Sequence, residues 1–145
     1  MKTDRAIEEI MLGMVREKAM EIYSEALIEY GVNPRNYGSI KDPDGYAKIT
    51  GPCGDTVEIF LRVRNGTVEE ATFNTDGCMF SIAACSVAAE MAEGKTLPGC
   101  IGINQSAILK RLKKMPEDHE HCALLAATVM QKALRQCIEG AGENQ

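Results

Sequence analysis

Cys53 lies in Gly51-Pro52-Cys53-Gly54-Asp55, a thiol between two flexible glycines with a carboxylate two residues on, just before a run that reads as a strand. Cys78 follows Asp76-Gly77 and opens an apolar helical run, and Cys122 follows His121 and opens another. Three cysteines, one histidine and one aspartate, all at element ends, describe a single open metal site assembled from three parts of the chain. A soft sulfur, nitrogen and oxygen donor set suits zinc or iron–sulfur chemistry.

Each residue also has a plainer reading. Gly51 and Gly54 let the backbone bend and leave the Cys53 sulfur accessible. A tight turn with an incidental thiol would look similar, but Asp55 puts a second ligand or proton acceptor in reach. Unpaired N–H groups and the dipole at a helix start favour the thiolate form of Cys78, although a small apolar residue in that place explains it equally well taken alone. His121 and Cys122 fall in the first turn of a helix, about 100° apart around its axis. Both can reach a site beyond the helix end, or they can take turns at one coordination position. His119, two positions earlier, reads as solvated. Cys85 stands about 10 Å along the same helix from Cys78, and Cys137 about 22 Å from Cys122, so neither shares a metal with its helix partner. Both lie among apolar residues and read as buried thiols acting as small hydrophobes. Cys100 is in a loop and is unassigned.

The elements that must position these residues follow from periodicity. The chain has 145 residues, 45% apolar and 26% charged, which fits one globular domain with a modest core. The net charge of −5 argues against nucleic acid or an anionic membrane as the main partner. No apolar run approaches the roughly 18 residues of a membrane span. Asp4, Glu8 and Glu9 make the N-terminus unlike a secretory signal or an organelle transit peptide, so a reduced cytoplasm is expected and a disulfide scaffold is not. Residues 4–30 carry a helical stripe of Ile7, Met11, Met14, Val15, Ile22, Ala26 and Leu27, ended by Gly31, Asn33 and Pro34. A loop over 31–45 leads to strands Tyr46–Thr50, Thr56–Arg64 and Thr67–Asn74. Val57, Ile59, Leu61 and Val63 alternate with Glu58, Phe60, Arg62 and Arg64, the pattern of a sheet with one covered face. Asn65-Gly66 is a two-residue hairpin signal. A helix runs from Cys78 to Gly94, Asn104 caps a short helix through Leu112, and Pro116-Glu117-Asp118 starts a last helix. The order predicts an α+β fold, a small three-stranded antiparallel sheet with helices packed on one face. Residues 140–145 are expected to form a flexible tail.

The chain has no Cys-x-x-Cys pair, no phosphate loop and no dinucleotide fingerprint, which argues against zinc ribbons, thioredoxin-like redox sites and nucleotide enzymes. Cys53, His121 and Asp55 could mimic a cysteine hydrolase, but two further junction thiols would then be unexplained. Tyr23-Ser24-Glu25-Ala26-Leu27-Ile28-Glu29-Tyr30, followed by Asn33-Pro34-Arg35-Asn36-Tyr37-Gly38-Ser39, resembles the start of the U-type iron–sulfur cluster scaffolds, the IscU proteins and the N-terminal domain of NifU. Gly51–Asp55 is similar to their first cysteine loop. Gly77-Cys78, with Gly94-Lys95-Thr96-Leu97 after its helix, resembles their second segment, and His121-Cys122 their third. The resemblance covers residues 23–139, with 1–22 as an N-terminal helical extension.

That resemblance implies a non-enzymatic scaffold that accepts sulfur from a cysteine desulfurase, gathers iron, builds a [2Fe–2S] cluster and passes it to recipient apo-proteins. Carried over by motif, Cys53, Cys78 and Cys122 are the cluster-binding and sulfur-accepting thiols, and Asp55 and His121 the labile extra ligands. Zinc is expected to occupy the same site. A zinc-bound sulfur acceptor and a structural zinc domain are the alternatives; the acceptor branch of the family usually has an insertion between the second and third cysteines and lacks the His before the third, so His121 favours the scaffold. The chain departs from the family at Met115-Pro116-Glu117-Asp118-His119-Glu120, where bacterial members carry Leu-Pro-Pro-Val-Lys. Recognition by a dedicated Hsp70-type chaperone therefore does not carry over.

Overall fold

Alternating apolar residues in the central strand set one face of a sheet, and the computed structural model, which describes Gly13 and residues 23–143, is built around that face. Strands β1 (Gly45–Thr50), β2 (Thr56–Arg64) and β3 (Thr67–Thr75) form an antiparallel sheet in the order β1-β2-β3. Asn65 and Gly66 make the β2–β3 turn with φ of 54° and 74°. Both are left-handed, as the tight turn that matches strand twist requires. Arg62 faces Glu70 while Val63 faces Val68, so Glu69 has no opposite residue and forms a bulge beside the turn.

The covered face carries Ile59 opposite Phe73 and Leu61 opposite Ala71, all fully buried. Helix α2 (Met79–Ala92) packs on β3, and α4 (Glu120–Glu143) packs on β1, β2 and α2. Their buried sides are rich in alanine, including Ala84, Ala88, Ala126 and Ala133, which lets backbones approach while Phe73, Ile59 and Met130 fill the remaining volume. A side chain at Gly45 would run into the Ala133 carbonyl and Cys137 Sγ, so this glycine seats α4 directly on β1. Phe60 departs from the simple alternation: it lies on the opposite face yet is buried, with the Tyr46 ring centred 5.0 Å away.

Helix α1 (Glu25–Val32) packs chiefly on α2, and α3 (Gln105–Leu112) bridges α2 and α4. Ser24 caps α1 by accepting from Leu27 N at 3.0 Å, and its hydroxyl donates to the Leu112 carbonyl at the end of α3. This corrects the single helix expected over 4–30: the apolar stripe continues through the sequence, but Tyr23 is a bend and Ser24 a cap. Apart from Gly13, the part of that stripe before Tyr23 lies outside the described residues. Asn104 caps α3 as expected, accepting from Ala107 N at 2.8 Å.

Two differences lie near the C-terminal half. Pro116 precedes a 3-10 turn, Glu117–His119, and α4 proper begins at Glu120. The tail expected from Gly140 is helical as far as Glu143. Cys100 belongs to a second 3-10 turn, Pro98–Cys100, and is fully buried with Sγ 3.8 Å from the Ala92 carbonyl. Gln131 of α4 donates to the carbonyls of Cys100 and Ile103, pinning that connection. Among the described residues no helix is long and apolar enough to cross a membrane.

Candidate metal centre

The site forms where the N-terminal ends of α2 and α4 meet the β1–β2 loop. Cys78 is the N-cap residue of α2, with φ −75° and ψ −178° and no side-chain capping bond. An extended backbone turns it out of the helix, and its thiol is exposed. Cys122 is the third residue of α4 and is buried. Ser81, on the same face of α2 as Cys78, is 1% exposed. Its hydroxyl donates to Asp55 Oδ2 at 3.1 Å and lies 3.4 Å from Cys122 Sγ. The serine thus joins the loop carboxylate to the α4 thiol.

Local sequence explains the close approach. Gly51 N–H donates to the Asp55 carbonyl at 2.8 Å and Gly54 N–H to the Gly51 carbonyl at 3.0 Å, closing a tight loop. Gly54 has φ of 92°, which a side chain would strain. Cys53 is exposed on this loop. A Cβ at Gly77 would stand 2.6 Å from Ser81 Cβ and Oγ and 2.9 Å from Asp55 Oδ2. Only glycine there lets the carboxylate reach the helix end.

The electrostatics favour a cation. Burial pushes the Cys122 thiol above its ordinary range; the Ser81 hydrogen bond opposes this, while the neighbouring Cys78, Cys53 and Asp55 raise it further. A cation bound among these groups would offset the burial that holds Cys122 protonated. Cys85 is fully buried and pushed up far more strongly, by burial first and then by Cys122. Burial also raises Cys137, to about 11. These two, with Cys100, are core thiols.

The ligand atoms of Cys78, His119 and Cys122 lie within 4.8 Å of one another. Tetrahedral zinc, with Zn–S near 2.3 Å and Zn–N near 2.0 Å, needs donor separations of about 3.5–3.8 Å. The donor set and spacing fit such an ion with small side-chain adjustments. His121 is exposed, with Nε2 3.8 Å from Cys122 Sγ. His119 is the main departure from the sequence reading, which left it solvated. Its ring stacks on Phe80 at 4.0 Å between centroids and 25° between planes. The sequence reading also missed Ser81, a serine three positions after a junction cysteine in a run otherwise apolar.

The fold and site define an α+β protein with thiols gathered at two helix starts and a neighbouring loop. Residues 22–140 match the NifU-like N terminal domain family, and the chain belongs to that family. The iron-sulfur cluster assembly scaffold protein IscU 1 of Archaeoglobus fulgidus is 37% identical over 114 residues, 78% of this chain and 74% of that protein. The scaffold protein IscU of Haemophilus influenzae is 36% identical over 117 residues, 77% of this chain and 92% of its own length. The N-terminal part of a NifU-like protein from Brucella abortus has the same fold, with a TM-score of 0.70 at 22% identity over 81% of this chain and 95% of that one.

Proposed function

We propose that this chain is a scaffold on which an iron–sulfur cluster is built and from which it is released to recipient apo-proteins, with a cysteine desulfurase as the sulfur source. Cys53, Cys78 and Cys122 are its cluster ligands, and Asp55 and His121 its exchangeable ones. The scaffold unit spans residues 23–139. The observation that carries this reading is the meeting of two helix N-termini and one glycine-flanked loop, which brings an exposed thiol at Cys78, a buried one at Cys122 and the Asp55 carboxylate to one place. Membership of the NifU-like family supports it.

The residues divide the work. Cys53, on its exposed loop, is the thiol that a partner's persulfide reaches first. Its thiolate attacks the outer sulfur of that persulfide, an S–S bond forms at Cys53, and the partner's cysteine leaves as thiolate. Cys78 and Cys122 hold the growing [2Fe–2S] cargo from rigid helix ends. A carboxylate or imidazole at the remaining position is a poorer iron–sulfur partner than thiolate, so the site binds cargo without closing over it. Zinc competes for the same donors.

Anaerobic incubation with ferrous iron, cysteine and a desulfurase, followed by visible absorption, tests the reading. The wild-type chain should develop an iron–sulfur chromophore and lose it on addition of an apo-acceptor. Cys53→Ala, Cys78→Ala and Cys122→Ala should abolish or severely impair it, while Cys85→Ala and Cys137→Ala retain it. A wild-type chain that binds iron and sulfide no better than the triple Cys variant would overturn the proposal.

A further inference from the structure

We propose that His119 is a metal ligand of this site: one of its ring nitrogens binds zinc or ferrous iron together with Cys78 and Cys122. The inference rests on the reading of the junction thiols as a metal-loading site and adds a residue to it.

Three observations carry it. First, His119 supplies the imidazole in the only set of three cysteine, histidine or acidic donors close enough to hold one ion among the described residues. Second, the ring is held in place. It stacks on Phe80, which follows Cys78 by two residues, and Tyr23 packs edge-on against Phe80 with centroids 5.5 Å apart and planes at 72°. A stacked ring on the helix that carries Cys78 loses little further freedom on binding a metal beside that cysteine. Third, the backbone around it is fixed. His119 N–H donates to the Pro116 carbonyl at 2.9 Å, in a 3-10 turn that runs directly into the helix bearing Cys122. His121, by contrast, is exposed, with Nε2 3.8 Å from Cys122 Sγ. Its ring centre lies 6.2 Å from that of His119, with planes at 27°.

Cys78, His119 and Cys122 therefore make a three-donor seat with an open fourth position, the arrangement of zinc sites that exchange a ligand. Asp55 and His121 are the side chains that come and go at that position. The ion stays bound while one outer ligand leaves and another arrives. His119 is the anchor and His121 the exchangeable histidine.

The test uses the full chain, with zinc and cobalt(II) as the metals and nitrogen NMR of the histidine rings. His119→Phe keeps the ring stack but removes the donor. His121→Ala and Cys78→Ser are its comparators, and circular dichroism with apo-state melting shows that each variant folds. One equivalent of zinc should shift a ring nitrogen of His119. His119→Phe should weaken zinc binding by at least about tenfold, the lower bound set by losing even an outer support of a metal ligand, and should alter the cobalt d–d bands. His121→Ala should cost less affinity than His119→Phe. His119 nitrogens that zinc leaves unmoved in the wild-type chain, with wild-type zinc affinity in His119→Phe while Cys78→Ser loses the metal, would overturn the proposal and leave the thiol site standing. Failure of the wild-type chain to bind zinc or cobalt at neutral pH would overturn both.

Discussion

At Asp55 a carboxylate is held by a single serine hydroxyl and admitted by a single glycine. Its oxygens are hard donors beside soft thiols, so cargo bound to Asp55 would be held less firmly than by a fourth thiolate. Asp55→Ala should give a longer-lived cluster that transfers more slowly to an apo-acceptor, followed by visible absorption; equal lifetime and equal transfer rate would remove Asp55 from the mechanism. The thiols differ as sharply in access. Cys53 and Cys78 are exposed, and Cys85, Cys100 and Cys137 are buried and pushed up by burial. Mass spectrometry after brief iodoacetamide treatment of the metal-free chain should find Cys53 and Cys78 modified first and the three core thiols last. Early alkylation of Cys85 or Cys137 in folded protein would show that the thiols are divided wrongly. The junction cysteines were legible in the sequence because each stands next to a glycine or histidine at a change of period. His119 was not, because the sequence from Pro116 reads as the start of an α-helix. The 3-10 turn has three residues per turn rather than 3.6, which rotates each successive side chain further and brings His119 over Phe80.

At the scale of elements, strands and the hairpin could be read almost residue by residue, because alternation and Asn-Gly are local signals. The start of α1 could not, since the apolar stripe runs on past a serine cap whose partner, the Leu112 carbonyl, lies 88 positions away. The same helix is tied down by a network equally invisible in sequence. Tyr30 of α1 and Arg35 of the following loop both donate to Glu90 of α2, with Arg35 at 2.8 Å and its guanidinium 5.0 Å over the Tyr30 ring. Burial opposes a charge on Glu90, but the hydrogen bonds from Tyr30 and Arg35 outweigh it and hold the carboxyl below its usual range. A native value below the unfolded one, near 4.3, stabilises the fold above that pH, and the contribution is lost as pH falls through the lower native value. Glu90→Gln should therefore lower the melting temperature at neutral pH, and the two proteins should converge in acid. A constant gap across that range would mean that the carboxylate's charge contributes nothing. Where α2 begins, Gly77→Ala forces a Cβ into Ser81 and Asp55. The overpacking should cost about 1–3 kcal/mol by denaturant unfolding and dislodge Asp55 from the site.

For the molecule as a whole, the proposed site would act as a clasp. Its donors come from a β1–β2 loop, the start of α2 and the start of α4, segments that span the chain from Cys53 to Cys122. An ion bound only to the folded form ties the three together and stabilises by mass action, about 2.7 kcal/mol at a hundredfold excess over Kd. For a chain of this size that is a rise in melting temperature on the order of 10 °C. Metal binding at Cys122 would require it to give up a proton that burial makes it retain. Protons therefore compete with the metal, and zinc stabilisation should shrink as pH falls. Calorimetry of the chain with and without zinc, at neutral and mildly acidic pH, measures both effects. The zinc-dependent rise should be present at neutral pH, smaller in acid, and absent at either pH in Cys78→Ser. A melting temperature indifferent to zinc at neutral pH would mean that these segments share no metal, and that the thiols meet at the helix ends for some reason other than holding one.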